Sequence, residues 1–193
     1  MIESQQEMSK SFGKRKKIIL GIIGVLLLVS AIIGIYQYEQ HKKQEELQAY
    51  KQTLKRFAKV ELTAGYHAEQ MIQDYSEVWY NTIFNDFSEI DGERYTDFSE
   101  AVNAAVNHYY ANGALDDLDA KVEEGNELLK KLKNPPKEFE EEYKAAVKVH
   151  DSLNNFVIYA KEPSGTLQSF NEDTSEKDSQ LSANLDKLNS MLN

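Results

Sequence analysis

From Glu39 to the C-terminus the apolar residues recur every three to five positions, and glycine and proline cluster between such stretches. That spacing predicts helices, and no alternating strand pattern competes with it. Leu47, Tyr50, Leu54, Phe57, Leu62, Gly65, Ala68, Ile72, Tyr75, Trp79 and Ile83 mark the apolar face of one long first helix, which Asp91-Gly92 ends. Asp97 with Glu100 has the spacing of a capping box and starts a second helix through Ala101, Ala105 and Tyr109. Asn112-Gly113 breaks it. A third helix, Leu115 to Leu132, stops at Asn134-Pro135-Pro136, because the residue before a proline is pushed out of the helical region. A fourth can begin at Pro136 and carries Phe139, Tyr143, Ala146, Val147, His150, Leu153, Val157 and Ala160. After Glu162-Pro163-Ser164-Gly165, with Ser164 or Thr166 as cap, a last helix runs through Phe170, Leu181, Leu185, Leu188 and Leu192. Short connections make successive helices antiparallel neighbours, so the expected fold is an up-and-down bundle.

Ahead of this lies a different pattern. Ile18 to Tyr38 is an uncharged, mostly aliphatic run preceded at once by Lys14-Arg15-Lys16-Lys17. As a helix it would reach roughly 31 Å, close to the ~30 Å hydrocarbon thickness of a bilayer. Five basic residues precede the run, whereas Lys42 and Lys43 after it are mixed with Glu39, Glu45 and Glu46. The basic flank stays inside, which predicts a cytoplasmic N-terminus, an extracellular C-terminal domain, and Tyr36 and Tyr38 at the outer headgroup level. The rival reading is a cleaved signal peptide with Val29-Ser30-Ala31 as its small-residue site, but the apolar run continues past it through Ile32, Ile33 and Ile35. Ser30 and Gly34 are spaced to let two such helices approach, offering a route to a homo-oligomer; glycine is also simply frequent in membrane helices.

Charge and composition narrow the partners. Beyond the run there are 17 basic and 30 acidic residues, a net of about −13, which repels nucleic acid, anionic lipid headgroups and anionic polymers. The chain has no cysteine, so it has neither a disulfide framework nor a lipid attached through a thiol. The 155 residues from Glu39 onward suffice for one domain with its own core.

Glu77-Val78-Trp79-Tyr80-Asn81-Thr82-Ile83-Phe84, then Leu132-Lys133-Asn134-Pro135-Pro136 with Tyr143 downstream, then Pro163-Ser164-Gly165-Thr166-Leu167, resembles a set of uncharacterised membrane-anchored or lipid-anchored helical proteins of Gram-positive bacteria and their prophages. The resemblance covers about residues 45 to 190 and implies a surface-exposed helical domain and no activity. The chain departs from the lipid-anchored members by using a spanning helix.

Chemical motifs are sparse. The residues three before His41, His67, His108 and His150 are Tyr38, Ala64, Ala105 and Val147, so the Glu-x-x-His pairs of bundle metal sites do not occur, nor do a calcium loop, a phosphate loop or a nucleophile elbow. His150 lies on an apolar face and is most simply a hydrogen-bonded core histidine, with a ligand or pH-switch role as the alternative. Asp116-Asp117-Leu118-Asp119, Glu123-Glu124 and Glu138 to Glu142 could offer oxygen ligands to a cation, but they also complement helix starts on a solvated face. The richest feature is aromatic. Ile72, Tyr75, Trp79 and Ile83 make one stripe; Tyr80, Phe84 and Phe87 make another, with Tyr109 and Tyr110 following. Core packing is the plain reading, and Trp79, Tyr80, Phe84, Tyr109 and Tyr110 are the candidates for a partner-binding surface.

These readings describe an all-α protein: a basic cytoplasmic tail (1–17), a single N-terminal transmembrane helix (18–38), a stalk (39–46) and an extracellular antiparallel helical bundle of four to five helices (47–193). The expected role is a membrane-anchored extracytoplasmic interaction protein that presents an acidic bundle to an envelope protein or to itself. It is expected to be no enzyme and to bind no cofactor, metal or nucleic acid. A ligand-binding sensory or accessory module working with a membrane partner remains an alternative. So does a phage-exclusion type of envelope protein, which rests on the prophage resemblance alone.

Overall fold

The computed structural model describes the backbone from Glu3 to Asn193 and the side chains from Gly34 onward. The chain divides into two units, Met1–Gln48 and Ala49–Asn193. The first is part of α1 (Glu3–Phe84). Its described side chains, Ile35, Tyr36 and Tyr38 among them, are exposed apart from half-buried Leu47, and contacts one turn apart join His41 to Glu45 and Lys42 to Glu46. Most of the run expected to span a membrane, residues 18–33, lies outside the residues whose side chains are described, as does Ser30. Among the described residues no helix is long and apolar enough to cross a membrane.

The second unit is helical, as its periodicity predicts. It holds the rest of α1, then α2 (Phe98–Ala111), α3 (Ala114–Lys131), α4 (Glu140–Lys161) and α5 (Leu167–Leu192). Most of the punctuation falls where the sequence places it. Asp97 caps α2 by accepting the amides of Ser99 (2.9 Å) and Glu100 (3.0 Å). Gly113 separates α2 from α3 at φ +79°, a conformation that glycine adopts without strain. A short 3-10 turn, Lys137–Phe139, follows Pro136, so α4 begins four residues later than expected. Thr166 caps α5 in a reciprocal exchange with Ser169.

Side-chain bonds fix how the helices run. The Tyr50 hydroxyl, early in α1, donates to the carbonyl of Leu132 at the end of α3 (2.8 Å), and Arg56 bonds Glu124 (2.7 Å). Later in α1, the Tyr75 hydroxyl donates to the carbonyl of Ala160 at the end of α4 (3.0 Å), and Ser76 donates to Asn171 near the start of α5 (2.6 Å). α3 and α5 are therefore antiparallel to α1, and α4 is parallel to it. These four form the bundle, and α2 packs with a small appendage where α1 terminates.

Two features depart from the sequence expectation. The first is the appendage, a β-hairpin of β1 (Ser88–Ile90) and β2 (Glu93–Tyr95) paired antiparallel. Asp91-Gly92 is its two-residue turn and not the end of α1, which stops at Phe84. Both turn residues have positive φ, 53° and 79°, as hairpins favour. Strands of three residues are too short to show alternation, so only the Asp-Gly pair signalled them. The hairpin is held at both ends. Buried Ser88 donates to the carbonyl of Val78 (2.8 Å), and His108 Nδ1 of α2 lies 2.8 Å from the Asp91 carboxylate in the turn.

The second departure is confined to two positions of α1. Leu62 and Ile83, expected on the core face, are exposed. One core row runs Leu54, Phe57, Glu61, Ala64, Ala68, Met71, Tyr75 and Trp79 in steps of three and four, with Ala58, Val60 and Ile72 also buried on α1. The rest of the expected face from Leu54 onward is buried: Leu54, Phe57, Ala68, Ile72, Tyr75 and Trp79 lie in the core, and at Gly65 a Cβ would stand 2.9 Å from Leu181 Cδ2 of α5.

Candidate functional site

The last turns of α1 sort its aromatic residues onto two sides. Tyr75 and Trp79, four residues apart, face the core; Trp79 is 4 % exposed, and its ring centroid lies 5.2 Å from that of Phe170 on α5. Tyr80 and Phe84 turn outward at 52 % and 63 % exposure, stacked on each other at 4.9 Å between centroids, with Ile83 exposed beside them. The spacing explains this sorting, because residues four apart share a face while adjacent residues diverge by about 100°. Past the helix end, Phe87 stands partly exposed with the Arg94 guanidinium 3.7 Å over its ring. Carboxylates at Glu77, Asp86, Glu89 and Glu93 are all exposed in the same stretch of chain. Exposed aromatic rings and exposed carboxylates thus share this stretch of chain, with the Arg94 cation over Phe87.

Of the five aromatic candidates, the structure thus brings Tyr80 and Phe84 together and places Trp79 in the core. Tyr109 is half-buried, with its hydroxyl donating to Asp74 and its ring edge-on to Tyr75 at 5.7 Å. Burial, then the bond to Asp74, holds that hydroxyl protonated well above the usual tyrosine range. Tyr110 turns to solvent. Tyr109 and Asp74 belong to a cleft of about 420 Å³ lined also by His67, Gln70 and Asp117, and to a second of about 380 Å³ that adds Glu77 and His108.

His150 is where the apolar-face reading puts it, buried and hydrogen-bonded. Its partner is a residue that the sequence reading passed over: Glu61, fully buried, with Oε1 3.0 Å from His150 Nδ1. Gly125 of α3 makes room for the carboxylate, since any Cβ there would overlap Glu61 Oε1. Glu61 was findable, because it occupies a core position in the three-and-four spacing of α1.

Within the acidic clusters, Asp119 pairs with Lys161, Glu123 with Lys130, Glu124 with Arg56 and Lys121, and Glu141 with Lys144 at the surface. Arg56 draws the Glu124 carboxyl below its usual range, chiefly through their hydrogen bond. Among the described residues no grouping of three or more histidine, aspartate or glutamate side chains could hold a metal ion. Gly34, the described member of the proposed small-residue pair, has nothing within 4 Å of a Cβ built on it. No protein-family model, curated protein or solved structure matches this chain.

Proposed function

We propose that the chain is a membrane-tethered interaction module of the cell envelope. Its apolar segment 18–38 anchors it with the N-terminus cytoplasmic, and its bundle stands outside and binds another envelope protein through the Tyr80–Phe84 face. The observation that carries this reading is the outward Tyr80–Phe84 pair with Ile83 beside it. Exposed aromatic residues grouped in this way are characteristic of protein contacts, and a monomer gains nothing by leaving them in water.

The chemistry of the surroundings selects the partner. The acidic residues set among the rings favour a face that is apolar and basic. They disfavour anionic lipid and a second copy of the same acidic surface. The anchor rests on the length of the apolar run and the asymmetry of its basic flanks.

The test is a photocrosslinking residue placed at Phe84, and separately at exposed Lys55, in the full chain within intact cells. A discrete adduct is expected from position 84, absent from position 55 and lost when Tyr80→Ser is added. Equal adducts from both positions, or none from position 84, would rule out this face as the contact.

A small-ligand role is the second reading, favoured by the cleft at His67, Asp74, Tyr109 and Asp117. It predicts that Tyr109→Phe alters the response of the protein while leaving the position 84 adduct intact.

A further inference from the structure

α1, α3 and α4 meet at an acid–base pair that the binding face does not use. Glu61 is fully buried, the His150 side chain is 11 % exposed, and the two bond at 3.0 Å. Glu61 Oε2 has no hydrogen-bond partner, so the imidazole is the one described group that satisfies this carboxylate. Gly125 closes the pair from α3, with 3.7 Å between a Cβ built there and His150 Nδ1, and the Phe57 ring lies 6.4 Å from the imidazole. The charged groups that act on His150 are Glu61 from α1, Asp151 of α4 itself and Glu123 of α3, all of them acidic. α5 meets α4 nearby through an uncharged contact, the Asn184 amide donating to Ser152.

We propose that Glu61 and His150 form a proton-holding latch: one proton kept between the buried carboxylate and the imidazole fastens α1 to α3 and α4, and its loss in alkaline medium loosens that joint. A carboxylate left in this site without a positive or donating partner would be a buried charge with no compensation. With the proton present, the pair is neutral overall; once it is lost, the neutral imidazole can still donate through Nδ1–H, but the buried carboxylate keeps a charge that no cation offsets.

Both members hold protons to higher pH than they would in the unfolded chain. The hydrogen bond to Glu61 raises His150 above its ordinary value of 6.5, against a smaller opposing effect of burial. Burial raises Glu61 above 4.5, against the opposing bond to His150. A group raised on folding contributes stability that is complete below its unfolded value and is lost as pH rises through its folded value. For His150 that loss begins at 6.5. Over the window in which the folded chain carries one proton more than the unfolded chain, the folding constant falls about tenfold per pH unit. The buried tyrosines do not interfere there. Burial pushes Tyr50 up to about 12, and Tyr75 and Tyr109 are also raised.

The test is the denaturant midpoint of the full chain in neutral detergent micelles between pH 6.5 and 9, for wild type, Glu61→Gln, His150→Gln and the double substitution. Wild type should lose stability across the window, and Glu61→Gln should lose markedly less. His150→Gln, which strands the carboxylate, should be the weakest variant at the top of the window, and the double substitution should recover much of that loss. Equal slopes for wild type and Glu61→Gln would overturn the latch. Should Glu61→Gln fail to fold, NMR titration of the His150 ring in wild type decides the question: a midpoint clearly above 6.5 supports the latch, and one at or below 6.5 overturns it.

Discussion

Replacing Gly125 with alanine is expected to destabilise the bundle by about 2 to 4 kcal/mol, although the substitution improves intrinsic helix propensity by about 1 kcal/mol. The reason is local. The added methyl would occupy the position of Glu61 Oε1 and approach the carboxyl carbon to 3.1 Å, so the carboxylate must move or α3 must back away. Moving the carboxylate breaks its bond to His150 inside the core, and moving α3 opens the packing of Leu118 and Leu128, both buried. Gly65→Ala is the control. There the obstructing atom is the far end of the Leu181 side chain, which can rotate, and the change should stay within about 1 kcal/mol. Denaturant midpoints of the two variants measure the difference. A Gly125→Ala midpoint at or above wild type would mean that the carboxylate does not occupy the notch in α3.

Trp79→Ala should cost about 3 to 5 kcal/mol, while Tyr80→Ser, one residue on, should fall within about 0.5 kcal/mol of wild type. Trp79 packs on Phe170, whose ring lies 6.1 Å from Tyr159, so the indole ties α1 to α5 and, through Phe170, to α4. Tyr80 packs with Phe84, itself exposed, and the pair faces solvent. Thermal melts of the two variants check this. Comparable losses would mean that the Tyr80 side of α1 is also core, leaving no free aromatic face for a partner.

The helical architecture was legible because its breaks are local. Asp97, Asn112-Gly113, Asn134-Pro135-Pro136 and Thr166 each impose a backbone conformation through their own chemistry, and each stands at an observed helix boundary or connection. Asp91-Gly92 carried its signal equally well, but a turn between three-residue strands looks the same in sequence as a turn after a helix. The core position at Glu61 is harder to see for a different reason. A glutamate reads as a solvent-facing residue, so the apolar spacing steps from Phe57 to Leu62, five positions on, and passes over 61, which is buried while Leu62 is exposed. What makes Glu61 tolerable is a histidine 89 positions away and a glycine on a third helix. No local pattern joins those three. The exposed aromatic face was half legible: the two aromatic stripes are visible in the spacing, but which stripe points inward depends on where α4 and α5 lie.

The proposed tether and outward display of the bundle can be measured directly, because the chain has no cysteine. Single substitutions Ser11→Cys and Lys55→Cys in the full chain can be probed in intact cells with a membrane-impermeant maleimide, since Lys55 is exposed and lies away from the Tyr80–Phe84 face. Prompt labelling is expected at position 55, and labelling at position 11 only after the membrane is permeabilised. Labelling at position 55 that also waits for permeabilisation would mean that the bundle is not displayed outside.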